Sequence, residues 1–278
     1  MTITLITGTS TGIGLRVAVQ AAQAGHTVVA TMRDLGKAEA LRAAASDAGV
    51  TVDIRQLDVT DAASIAACID ATVAAHGAID ALINNAGSGR LGTIELEGLD
   101  AVRNVMEVNF FGVVAVTEAA MPHLRASKGR VLTVSSVGGI VGQPFNEAYC
   151  AAKFAVEGFM EALAPVAATV GVRVSLVEPG AVSSDFVANV GADVPKMVAA
   201  AGAYGPALAS YIARTTAAFS PAAAQTPDGA AAAIVELLLA ETPAMRIQTS
   251  DGARAFVSRK LADLDGSAVL TETLGWVS

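Results

Sequence analysis

Short runs rich in Val, Ile and Leu alternate with longer, alanine-rich stretches over the first two thirds of the chain. Ile3 to Ile6, Thr27 to Thr31, Val52 to Leu57, Ala81 to Ile83, Arg130 to Val134 and Val172 to Val177 have the length and composition of buried strands. Between them, Gly12 to Ala24, Lys37 to Ala48, Ala62 to Ala75, Leu99 to Met121 and Glu147 to Thr169 carry helical spacing. Regular strand–helix alternation predicts an α/β fold, a doubly wound, Rossmann-type parallel sheet covered on both faces. The pattern loosens after Pro179. Residues 181 to 227 are rich in Ala, Gly and Pro and show little periodicity, then Asp228 to Ala240 predicts a helix and Ile247 to Thr249 a short last strand. No linker divides the chain. The expectation is one domain over 1–278, with a cofactor-binding and catalytic core (1–187), a small substrate cap (188–227) and a C-terminal helix and tail (228–278).

Composition narrows the class. With 53% hydrophobic and 16% charged residues among 278, the chain is too apolar for disorder. Its longest apolar run, Ala230 to Ala240, contains Glu236 and falls short of the roughly 18 residues of a span, so no membrane span is expected. The first glycine motif begins at Thr7, where a secretory leader would lie. Cys68 and Cys150 are too few for a disulfide framework, which predicts a reducing, cytoplasmic setting. His26, His76 and His123 lack metal-ligand spacing, and no metal is predicted. A net charge of -8 argues against nucleic acid as a partner.

Two constellations carry chemistry. Thr7-Gly8-Thr9-Ser10-Thr11-Gly12-Ile13-Gly14 lies between the first strand and first helix, where glycines allow a tight turn and free N–H groups at a helix start attract a pyrophosphate. Ser10 and Thr11 are possible additional donors. Arg33, after the second strand, is suited to a ribose 2′-phosphate and points to NADP(H), with NAD(H) still possible; Asp34 pulls the other way, and a solvated Arg33–Asp34 pair is the alternative. Asp58, with Val59, ends the third strand and either accepts from an adenine amino group or belongs to a helix N-cap in the run 58–61. Further on, Tyr149 and Lys153 share a helix face at i, i+4, with Ser136 thirteen residues before the tyrosine. A nearby ammonium favours a phenolate and is expected to lower the Tyr149 pKa toward an acid/base range, while a serine hydroxyl can hold a substrate carbonyl.

Taken together, Thr7-Gly8-x-x-x-Gly12-x-Gly14, Asn84-Asn85-Ala86-Gly87, Asn109, Ser136 with Tyr149-x-x-x-Lys153, and Pro179-Gly180 resemble the short-chain dehydrogenase/reductase family. The resemblance implies Tyr149 as proton donor or acceptor, Lys153 on the nicotinamide ribose, Ser136 on the carbonyl, and Asn109 holding a water that links Lys153 to solvent. It also implies that Asn85, Ala86 and Gly87 border the cofactor, that Pro179, Gly180 and Val182 border the nicotinamide, and that Ser184 replaces the usual downstream threonine. A closer likeness runs through Ser136-Val137-Gly138-Gly139 and Pro144-Phe145-Asn146-Glu147-Ala148-Tyr149-Cys150-Ala151-Ala152-Lys153. It is similar to the branch holding estradiol 17β-dehydrogenase type one and photoreceptor retinol dehydrogenase. That branch implies a lipophilic alcohol or ketone. The two long helices, 99–121 and 147–169, resemble the family's association surface and imply a homodimer or homotetramer. The alternatives are a 3-oxoacyl carrier-protein reductase and, in another class, a non-catalytic NADP redox sensor.

The remaining residues have two readings each. Phe145, Phe186, Met197, Tyr204, Leu208, Tyr211 and Phe219 either line an apolar substrate pocket or pack as ordinary core. Arg214 anchors a polar substrate end or is solvated. Cys150 is expected to point away from the site, and Trp276 to dock the C-terminus.

Overall fold

The computed structural model describes residues 2–183 and 194–277. Phe186 and Ser184 lie outside the described residues. The strands β1 (Ile3–Ile6), β2 (Thr27–Met32), β3 (Asp53–Gln56), β4 (Ala81–Asn84), β5 (Arg130–Val134), β6 (Arg173–Glu178) and β7 (Arg246–Gln248) form one parallel sheet in the order β3-β2-β1-β4-β5-β6-β7. The order reverses at β1, where Ile6 stands level with Ala30 on one side and Ile83 on the other. Chains leaving β1 and β4 diverge there and open a crevice at the carboxyl ends of the strands.

The helices are α1 (Gly12–Gln23), α2 (Glu39–Asp47), α3 (Ala62–His76), α4 (Ile94–Met106), α5 (Gly112–Ser127), α6 (Glu147–Ala168), α7 (Val194–Ala200), α8 (Gly205–Ala218), α9 (Pro227–Leu239), α10 (Asp251–Ala262) and α11 (Ser267–Leu274). Strand side chains alternate between two cores, as a pleat requires. Ile6 joins Val17, Leu41 and Ile234 from α1, α2 and α9. Its neighbour Leu5 joins Ile69, Val116 and Met160 from α3, α5 and α6. Each such side chain contributes about 1.5–3 kcal/mol by leaving water.

Three expectations change. The helix anticipated over 99–121 begins at Ile94, bends at Gly98 (φ 71°), widens into a π turn over Glu107–Phe111 and continues past Pro122 to Ser127. That stretch, Ile94–Ser127, is long and apolar enough to cross a bilayer, but Val113, Val116, Ala120 and Leu124 seat it on the sheet. The loosely patterned region contains helices α7 and α8. The tail adds α10, capped by Ser250 accepting from Ala253 N at 3.2 Å, and α11, neither of which periodicity indicates.

Candidate active site

The turn after β1 is held by side-chain to backbone bonds. Thr7 Oγ1 accepts from the main-chain N–H groups of Asn85 and Ala86, both at 3.0 Å, and Asn85 Nδ2 donates to the carbonyls of Thr7 (3.0 Å) and Gly8 (2.9 Å). This stitching brings the ends of β1 and β4 so close that Gly8 (φ 71°) has no room for a Cβ, which would stand 2.7 Å from Ala86 Cα. A Cβ on Gly14 would overlap Asn85 Nδ2 and the Gly8 carbonyl. Helix α1 opens at Thr11, which makes no side-chain cap, and its first turn holds no acid. Ser10, Gly12 and Ile13 are half-buried beside it and Thr11 is exposed. An uncapped helix start at the sheet's switch point, floored by glycines, fits a dinucleotide pyrophosphate.

At the end of β2, Asp34 Oδ1 accepts from Gly36 N at 2.9 Å, which turns the carboxylate into a local cap. Arg33 is exposed and makes no ion pair with it among the described residues. Asp58 Oδ1 takes the N–H and hydroxyl of Thr60 (3.0 and 2.8 Å). Its pKa is lowered because, against the desolvation that raises it, those bonds and the Arg33 charge favour the carboxylate. The helix cap in this run is Asp61, which accepts from Ala63 N; Asp58 is therefore not the cap. Val59 packs on Gly112.

Ser136 follows β5, where its Oγ accepts from Gly138 N at 3.0 Å and caps a short 3-10 turn. Tyr149, in the first turn of α6, is hydrogen-bonded to Ser136. One turn on, Lys153 Nζ lies 5.8 Å from the Tyr149 ring centroid and donates to the Val134 carbonyl at 2.9 Å. Gly87 completes the wall: a Cβ there would come 2.9 Å from Asn109 Oδ1 and 3.8 Å from Lys153 Nζ. Val137 N donates to Pro179 O at 3.0 Å, Gly180 abuts Ala253, and buried Val182 bridges to Gln225, so this segment borders the same space.

Two expectations about this cluster need correction. Burial of the phenol pushes Tyr149 up to about 12, and the Ser136 bond only moderates it. Lys153 cannot reverse this, because its own burial lowers it to about 8 against the opposing charge of Glu157. Asn109, at the π turn, spends Nδ2 on the carbonyls of Ser88 and Val105 (both 3.0 Å), while Oδ1 accepts from Ser88 N (3.1 Å). Its side chain clamps the segment after β4, and both amide hydrogens are committed; a water link to Lys153 cannot use them.

The sequence reading also passed over a group behind the lysine. Arg246 bonds Glu157 and Glu161, each at 2.8 Å, and Glu178 at 2.7 Å. One cation cannot neutralise three carboxylates, and burial pushes Glu178 up to about 7. The i, i+4 step from Lys153 to Glu157 is visible in the sequence; its partner on β7 is not.

The cap residues divide. Phe145, Leu208 and Tyr211 are buried in a small core with Ala201, so packing describes them better than an open pocket wall. Met197 leans on that core, and exposed Tyr204 donates to Glu95 at 2.7 Å. Phe219 is half-buried outside the cluster. The Arg214 guanidinium lies 4.3 Å from the Trp276 ring centroid, and Trp276 stacks on Phe256 at 5.7 Å, so both residues serve to dock the C-terminus. Cys150 points to the Val141 carbonyl, with its thiol pushed up to about 11 by burial. No cluster of three or more metal-ligating side chains occurs among the described residues.

Residues 2–195 match the family model for short chain dehydrogenase. The chain belongs to that family. Human retinol dehydrogenase 8 is 38% identical, over 97% of this chain and 88% of its own length. Human 17-beta-hydroxysteroid dehydrogenase type 1 is also 38% identical, over 97% and 84%. Among solved structures, a short-chain dehydrogenase from Streptomyces avermitilis superposes with a TM-score of 0.76 at 28% identity, covering 98% of this chain and 97% of its own. An actinorhodin polyketide ketoreductase with NADPH gives 0.74 at 28%, covering 91% and 97%. The family is one of NAD(P)-binding oxidoreductases, and this chain is an oxidoreductase interconverting alcohol and carbonyl groups.

Proposed function

We propose that the chain is an NADP(H)-preferring reductase or dehydrogenase of lipophilic ketones and alcohols. The observation that carries this reading is the convergence of Ser136, Tyr149 and Lys153 beside a glycine-floored, uncapped helix start. The bound nicotinamide supplies or takes the hydride. The protein's residues do the rest. Ser136 Oγ, which receives a hydrogen bond from Gly138 N, keeps its own proton to offer the substrate oxygen. In reduction Tyr149 gives its proton to that oxygen. A phenol held near 12 is fully protonated at neutral pH and so is ready as the acid. Lys153 sits on the same helix face, positions the ribose and supports the return of the proton.

Capture of Asp34 by Gly36 removes the carboxylate that would otherwise take a ribose 2′-hydroxyl and repel a 2′-phosphate, which supports NADP(H) through Arg33. The branch relatives, named for retinol and a steroid, support a lipophilic substrate. The exposed apolar side chains of α4 and α6, Leu99 and Phe159 among them, support a homo-oligomer. Two free, buried thiols are consistent with work in the cytoplasm.

The test is NADPH oxidation against retinal, ketosteroids and medium-chain ketones. Tyr149→Phe is expected to lose about a thousandfold or more in kcat with NADPH affinity retained; turnover close to that of the parent protein refutes the assignment. Arg33→Ala is expected to lower the NADPH/NADH affinity ratio about tenfold or more. An unchanged ratio removes the NADP(H) preference and leaves the chemistry standing.

A further inference from the structure

Gly138 maps the space beside the catalytic hydroxyls. A methyl group on its Cα would lie 3.4 Å from each of three atoms: Ser136 Oγ, Tyr149 Cε1 and Gln143 Nε2. These three side chains therefore border one small volume. Gln143 Nε2 stands within about 7 Å of Ser136 Oγ, a span that two hydrogen bonds and a two-carbon substrate fragment can bridge.

Gln143 is half-buried, and its carboxamide forms no hydrogen bond to another described residue. Its backbone, by contrast, is tied on every side. Pro144 restricts it, and its carbonyl accepts from Asn146 N at 3.2 Å. Phe145 adopts a left-handed conformation (φ 56°) that drives its ring into the cap core, 5.8 Å from Tyr211. The Phe145 carbonyl accepts from Gly92 N at 2.9 Å, and Asn146 Nδ2 donates to Tyr211 Oη at 2.6 Å. A segment holding a non-glycine residue in that region is held by its surroundings, as functional loops often are. The outcome is an amide with open hydrogen-bonding capacity, on a fixed support, facing the reacting position.

We propose that Gln143 is a specificity residue that recognises an oxygen on the carbon next to the reacting carbonyl. The amide donates to a neighbouring ketone or accepts from a neighbouring hydroxyl, so the site favours 1,2-diketones and α-hydroxyketones over the matching monoketones. The inference rests on the oxidoreductase reading above and names a substrate class within it. A monoketone leaves the amide without its partner in a space closed to water by the bound chain, which costs binding in the transition state.

The experiment compares kcat/KM for 2,3-decanedione and 2-decanone with NADPH in the parent protein, Gln143→Leu and Gly138→Ala. The dione/monoketone ratio is expected to fall about tenfold or more in Gln143→Leu. The greater intrinsic reactivity of the dione cancels, since both proteins see the same pair. An unchanged ratio overturns the proposal with the oxidoreductase reading intact. No turnover of either ketone by the parent protein overturns both. Gly138→Ala fills the mapped volume at ordinary van der Waals contact. It is expected to depress kcat/KM for both ketones at least tenfold while the NADPH Kd stays in place. Parent-like turnover in that variant shows that the substrate does not use this volume, and the proposal falls.

Discussion

The turn after β1 and the cap around Tyr211 are held in opposite ways. At the turn, backbone meets backbone. Thr7 and Asn85 bind main-chain groups, and Gly8 and Gly14 leave no space for a further atom. In the cap, side chains meet side chains. Phe145, Leu208 and Tyr211 form a core that touches the sheet only through the segment carrying Gln143 and Asn146. Backbone contacts tolerate almost no substitution but constrain few side-chain identities. Side-chain contacts can be exchanged for others of similar volume. A fixed nucleotide edge joined to an exchangeable cap lets one reaction be offered to different substrates.

The sharpest way to break this contrast is Gly14→Ala. Its new methyl meets Asn85 and the Gly8 carbonyl, so nucleotide binding is expected to vanish, with a stability loss of about 3 kcal/mol or more. Calorimetric titration with NADPH and urea unfolding measure the two effects; retained affinity would mean the turn is more plastic than its packing. Leu208→Ala, in the cap, is expected to cost about 2–5 kcal/mol locally. It should raise KM for ketones several-fold while the NADPH Kd holds, and a parallel loss of nucleotide affinity would show that the two regions are one cooperative unit.

The smallest effect lies at the seam, where Arg246 joins β6 and β7 to α6. A buried acid whose folded pKa is raised from 4.5 to about 7 stabilises the fold fully below its unfolded value and loses that contribution as pH rises through about 7. The parent Tm is therefore expected to decline between about pH 4.5 and 7 relative to Glu178→Gln, whose neutral amide does not titrate. Parallel pH profiles for the two proteins would show that Glu178 stays ionised beside Arg246.

What the sequence made visible follows from the range of each interaction. Strand β5 was placed to the residue, and three-residue β7 to within one, because buried strands need β-branched runs bounded by turn residues. Helices α10 and α11 escaped notice because Leu261, Leu264, Leu270 and Leu274 are exposed and break the apolar period. Ser136, Tyr149 and Lys153 stood out through local spacing. The environment that sets their proton affinities did not. Glu157 meets Arg246 across 89 positions, and the packing that outweighs the ammonium at Tyr149 comes from several elements at once. Gln143 likewise gains meaning only once Gly138 is known to leave a space beside it.

The π turn at Glu107–Phe111 has a consequence for how this family can vary in length. A wide turn holds one residue more than an α-helical turn needs, and each residue advances a helix by about 100°. Deleting a single residue there and letting the helix close to ordinary pitch would swing Val113, Val116 and Ala120 about a quarter of a revolution off the sheet. The surplus residue acts as a phase correction between α4 and α5, so insertions and deletions in that stretch are compatible with the fold only when their net rotation is close to zero.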